Sequence, residues 1–135
     1  MSPSAEAIVC DYYDALCNGD PLVPYFRDDA STVKFGISES LFGIDEIARA
    51  LTEQTETTDE WTVSSRHLVV DKRDDFATMA DDVTMAWTDT ESGDRYRFDS
   101  RWSGTLVRAV VEGEADADAP AWQFTVLHVS APCEL

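Results

Sequence analysis

The chain has 135 residues, about one domain's worth, and 44% of them are apolar, so it can bury a core and is not a disordered acidic tail. Ten basic residues against 27 acidic ones leave a formal net charge of −17, which argues against a nucleic-acid partner because phosphates would be repelled. No apolar run reaches the roughly eighteen residues of a membrane span, and Met1-Ser2-Pro3-Ser4 has neither the basic nor the apolar region of a signal peptide. A cytoplasmic protein is therefore expected.

Ser4 is placed to cap a helix running to about Asn18, with Ala5, Ile8, Val9, Tyr12 and Leu16 as its apolar stripe. Gly19 supplies the stop. Asp20-Pro21 predicts a short second helix, with Asp as cap and Pro at the first position. Residues Ser31 to Ile37 read as a strand with Val33, Phe35 and Ile37 on one face, and Gly36 interrupts the other face for a bend or a close approach. After Gly43 a third helix covers about Ile44 to Gln54, followed by a polar Thr-rich loop. The rest reads as β: Trp61–Val70, Phe76–Thr88, Arg95–Val111 and Ala121–Ala131, the last two joined by the acidic loop Glu112–Pro120. Short polar connections predict an antiparallel meander. The expected class is α+β: a curved antiparallel sheet covered by about three N-terminal helices, in one domain over residues 1–135.

The acidity has a particular character. There are 17 Asp and 10 Glu but only two Lys, Lys34 and Lys72, against eight Arg. Self-repulsion at this charge is relieved by molar salt, which screens it within about 3 Å. The balance resembles that of proteins from salt-loving archaea. Of three cysteines, Cys10 and Cys17 lie seven apart on one helix, beyond disulfide reach, so reduced thiols are expected. No zinc-ligand spacing is present, and neither a metal nor a cofactor is expected.

Three stretches carry a family resemblance over roughly residues 5–132. They are Asp14-Ala15-Leu16-Cys17-Asn18-Gly19-Asp20, Ser40-Leu41-Phe42-Gly43-Ile44-Asp45-Glu46-Ile47, and Arg101-Trp102-Ser103-Gly104-Thr105-Leu106-Val107-Arg108 with Trp122-Gln123-Phe124 and His128-Val129-Ser130. In this order they resemble the nuclear transport factor 2-like superfamily, and the latter two most resemble its SnoaL-like branch. The resemblance implies a sheet curled into a cone, a pocket and a homodimer. It does not imply one reaction, because members include ketosteroid isomerases, polyketide cyclases, dehydratases, binding proteins and association domains.

An isomerase of this superfamily needs a carboxylate base near the start of the sheet. The matching stretch here is Lys34-Phe35-Gly36-Ile37-Ser38, without an acid, and Glu39 is the nearest. Tyr12 or Tyr13 with a protonated Asp are the candidate enolate donors. His67, His128 and Asp99 are the remaining catalytic candidates, each with a structural alternative; for Asp99 that alternative is outward pairing with Arg97 or Arg101. The acid pairs Asp28-Asp29, Asp74-Asp75 and Asp81-Asp82 read as solvated surface.

Tyr96, Phe98, Ser100 and Trp102 alternate along one face of the longest strand, and Trp61 and Trp87 lie on neighbouring strands. With Tyr13, Phe35 and His67 these residues are the candidate lining of a pocket for a small, mostly apolar molecule. The alternatives are an isomerase, dehydratase or cyclase in the same pocket, and an association module whose core is simply filled. The last strand places Thr125, Leu127 and Val129 on one face and Phe124 and Val126 on the other, so a partner sheet is expected to cover the outer face.

Overall fold

The computed structural model describes residues 3–109 and 120–133. Helix α1 (Ala5–Asn18) starts where Ser4 Oγ accepts from the Ala7 amide at 3.1 Å. It stops at Gly19, whose φ of 72° lets the Gly19 and Asp20 amides turn back onto Leu16 and Ala15 carbonyls. Helix α2 (Ile44–Thr57) buries Ile47 and Leu51. It runs straight into the sheet at Thr58, so the Thr-rich segment expected as a loop is the last helical turn and the first strand. The helix expected from Asp20-Pro21 is a single 3-10 turn at Val23–Tyr25, with Leu22 in the cap position and no capping side chain.

Seven strands form one curved sheet: β1 (Val33–Gly36), β2 (Glu39–Phe42), β3 (Thr58–Ser65), β4 (Val69–Lys72), β5 (Phe76–Asp89), β6 (Arg95–Arg108) and β7 (Trp122–Ser130). The order across it is β2-β1-β7-β6-β5-β3, with β4 pairing β5 beyond the end of β3. All pairings are antiparallel except β1 with β7, which is parallel, so the sheet is more than the expected meander. The strand expected over 61–70 is broken. Ser65 pairs with Val83 and Val69 with Ala80, so this edge carries one residue more than β5 across the gap. The extra residue reverses the alternation: Val70 packs on the core while Val69 is exposed.

A second irregularity lies in β7. Phe124 pairs with Leu106 and Val126 with Thr105, leaving Thr125 as the extra residue. Phe124 and Leu127 are both fully buried as a result, which corrects the alternation expected for this strand. Gly104 makes room for it, because a Cβ there would stand 2.5 Å from the Val126 carbonyl oxygen. The final residues expected for the longest strand, and the acidic loop up to residue 119, lie outside the described residues.

The core lies between the concave face of the sheet and the two helices. Tyr12 is its hub, with edge-on contacts to Tyr25, Phe26, Phe124 and Trp102 at 5.4–6.1 Å between ring centroids. The inward face of β5 is Ala77, Met79, Asp81, Val83 and Met85, all buried.

Candidate functional site

The concave side does not fill completely. A cavity of about 480 Å³ opens between α1, the second half of α2, the β1–β2 hairpin and the inner faces of β3, β5 and β6. Its aromatic wall is Trp61, Trp87, Tyr96, Phe98 and Trp102. Trp61 and Trp87 stack at 4.7 Å with 19° between planes, and Trp87 lies nearly parallel to Tyr96 and Phe98 at 5.7 and 5.5 Å. Two hydrogen bonds hold indoles in place: Trp61 Nε1 donates to Thr58 Oγ1 at 2.8 Å, and Trp102 Nε1 to Ser100 Oγ at 3.0 Å.

The opposite side of the cavity is polar. Lys34 and Glu39 both line it, and Lys34 Nζ donates to Glu39 Oε1 at 2.8 Å. The Lys34 side chain is 8% exposed and that of Glu39 is 38% exposed. The inner face of β1 is therefore the one that carries Lys34 and Gly36: Lys34 is buried, whereas Phe35, expected to line the pocket, points outward against Phe42 and His128. Gly36 permits this pairing. A Cβ on it would fall 2.7 Å from Glu39 Cγ and from Oε1, so a larger residue there would push the Glu39 side chain aside.

The remaining sequence candidates stand elsewhere. Tyr13 and Ser100 are buried but outside this cavity; Ser100 Oγ donates to the Val83 carbonyl at 2.7 Å. His67 and Asp99 border a shallow groove on the outer face with Arg66 and Arg101. Asp99 accepts from Thr84 at 3.0 Å and lies 3.5 Å from Arg97 and 3.8 Å from Arg66, in keeping with its structural alternative. His128 is exposed beside Phe35. None of His67, Asp99 and His128 faces the cavity, because each sits on the outer parity of its strand or in the break between β3 and β4.

Sequence reasoning also passed over Asp81. It is buried, not surface as expected for the Asp81-Asp82 pair. Its Oδ2 accepts from Tyr13 Oη at 2.9 Å and Ser65 Oγ at 2.6 Å, and its Oδ1 accepts from the His67 amide at 3.0 Å. This carboxylate ties α1 and the β3–β4 break to β5. Burial raises the Tyr13 phenol well above its ordinary range, and the hydrogen bond to Asp81 and its charge add to the effect. The Tyr12 phenol is raised by burial and by the charge of Glu39.

Two helices over an open curved sheet, with a cavity in its concave face, define the nuclear transport factor 2-like cone fold. The chain is similar in structure to a provisionally assigned dehydratase of the NTF2-like family from Streptomyces avermitilis (TM-score 0.78, 14% identity, 96% of this chain and 94% of that one). It is also similar to a provisionally assigned scytalone dehydratase from Novosphingobium aromaticivorans (0.75, 16%, 95% and 81%). A third similar structure is a provisionally assigned calcium/calmodulin-dependent protein kinase II association domain from Xanthomonas campestris (0.72, 18%, 96% and 86%). No protein-family model matches the chain, and no curated protein matches it in sequence. Identities at this level establish the fold, while activity has to be argued from the site.

Proposed function

We propose that this protein binds a small, flat, mostly apolar molecule in the mouth of its cone. The observation that carries the reading is the open cavity of about 480 Å³ with stacked indoles on one wall and a charged pair on the other. Ligand sites combine these features: a large apolar contact and few polar groups that fix orientation. A pure association module would be better served by side chains filling the cone. The test is quenching of tryptophan fluorescence by 2-acetylnaphthalene, a neutral bicyclic ketone. The expected result is a saturable 1:1 titration that is lost in Trp87→Leu. A linear, unsaturable response in both proteins would overturn the reading.

A second reading is enzymatic, in keeping with the dehydratase assignments of two similar structures. The Glu39 carboxylate in the cavity wall is the base that the segment Lys34–Ser38 lacks. In this reading it takes a proton from carbon beside a ligand carbonyl, and the enolate oxygen is stabilised by Lys34. Exchange of the methyl protons of 2-acetylnaphthalene in deuterated water, followed by NMR, tests it. Exchange above the buffer rate that disappears in Glu39→Gln supports catalysis, and exchange at the buffer rate contradicts it.

The bulge at Thr125 removes the outward Phe124 that had argued for a partner sheet. We nevertheless propose a homodimer, formed through outward Phe35, Phe42 and Val126, of which Phe42 is 57% exposed. The similarity to an association domain supports it. Sedimentation in molar potassium chloride should show a dimer at micromolar concentration, and a monomer throughout would contradict it. The acidic composition supports a saline cytoplasm as its setting.

A further inference from the structure

Resting on the reading of the cavity as a ligand site, we propose that its ligand is an aromatic carboxylate, which takes the place of Glu39 on Lys34. Glu39 is then the site's internal stand-in, holding the cation until the ligand arrives.

Four observations lead there. First, the chain has only two lysines among its 135 residues, and one of them is buried in the cavity wall. A buried ion pair is weak support for a fold, since an apolar pair of the same volume serves as well or better. Its presence in the wall of a cavity of about 480 Å³, in a strongly acidic chain, points to use by a ligand. Second, Lys34 has donors to spare. An ammonium carries three N–H groups, and among the described residues Glu39 is the one acceptor that meets it.

Third, the two partners are held unequally. Lys34 sits on β1, one strand in from the sheet edge and paired on both sides, by β2 and β7, with its side chain 8% exposed. Glu39 stands at the first position of β2, beside the hairpin turn, on a strand at the sheet edge, and is 38% exposed. Glu39 can rotate into water without moving the backbone, whereas Lys34 cannot follow. The cation left behind is desolvated and needs a negative replacement; a neutral ligand cannot supply one. Fourth, the replacement has a place to go. The Glu39 carboxylate lies over Gly36, where a Cβ would collide with it, so its departure leaves a recess fitted to a carboxylate. The indole wall across the cavity then receives the ring system that carries the acid. The exchange is one carboxylate for another, and the charge of the buried cluster is the same before and after it.

Titrations of wild type, Glu39→Gln and Lys34→Met with 2-naphthoate and with neutral 2-acetylnaphthalene, in molar potassium chloride, test this. Glu39→Gln frees the cation, so 2-naphthoate should bind it about tenfold or more tightly than wild type and raise its Tm further. Lys34→Met should lose about tenfold or more for 2-naphthoate. The ketone should change by less than about threefold in either variant, because a neutral ligand neither replaces the carboxylate nor needs the cation. Unchanged or weaker 2-naphthoate binding by Glu39→Gln, with the ketone still bound, overturns the carboxylate proposal and leaves the cavity reading intact. Binding of neither compound by any of the three proteins overturns both.

Discussion

Two charged side chains, Asp81 and Lys34, are buried among the described residues, and they are held in opposite ways. Away from the cavity, Asp81 receives three donors from three segments: Tyr13, Ser65 and the His67 amide. At the open end, Lys34 meets one half-exposed acceptor, Glu39, beside a cavity. A buried charge whose hydrogen-bonding capacity is mostly taken up by its own chain is a fastener. A buried charge with capacity left over, next to open space, is available to something else. Trp102 separates the two regions, touching Tyr13 at 5.3 Å between centroids and lining the cavity as well.

The largest effect is expected from removing that divider. Trp102→Ala should destabilise the protein by about 3–5 kcal/mol, measured by urea unfolding in molar potassium chloride. Asp81→Asn places an amide among three donors that need an acceptor, and should lower stability by about 3 kcal/mol in the same assay. The open end should respond unequally to its two halves. Glu39→Gln leaves the buried ammonium without its anion and should lower stability by about 1–3 kcal/mol, whereas Lys34→Met releases Glu39 into water and should be within about 1 kcal/mol of wild type.

Alkaline pH sharpens the contrast. Tyr12 and Tyr13 have folded pKa values raised above the unfolded value of about 10. Their contribution is complete below pH 10 and is lost as pH rises from there towards the folded values. Stability should therefore fall above pH 10 by about 1.4 kcal/mol per pH unit for each phenol, and Tyr13→Phe should remove one of the two slopes. The smallest effect is a constancy. Wild-type Tm should rise with potassium chloride through screening of surface repulsion, while the difference between wild type and Asp81→Asn stays the same, because buried pairs are screened little.

Much of the frame was legible beforehand. The stripe Ile8–Val9–Tyr12–Leu16 and the Ser4 and Gly19 caps define α1, and the alternation Tyr96–Phe98–Ser100–Trp102 marks the inner face of β6. What could not be read has two physical sources. Single-residue insertions reverse strand parity, and nothing in the residues around Arg66–Leu68 or at Thr125 announces them; both depend on pairing with a distant strand. Charged residues are also assumed to be wet. Asp81 is one acid among 27, and Lys34 lies between Val33 and Phe35, so each was read by type and not by its future neighbours. The one available signal was the scarcity of lysine, together with Gly36 two positions on in the same strand.

The most direct test of the division between fastener and site is to measure Asp81→Asn and Lys34→Met side by side, each for Tm and for 2-naphthoate affinity, in molar potassium chloride. Asp81→Asn should lose stability and keep the affinity of wild type, while Lys34→Met should keep stability and lose the affinity. The reverse pattern, or both losses together in each variant, would contradict that division.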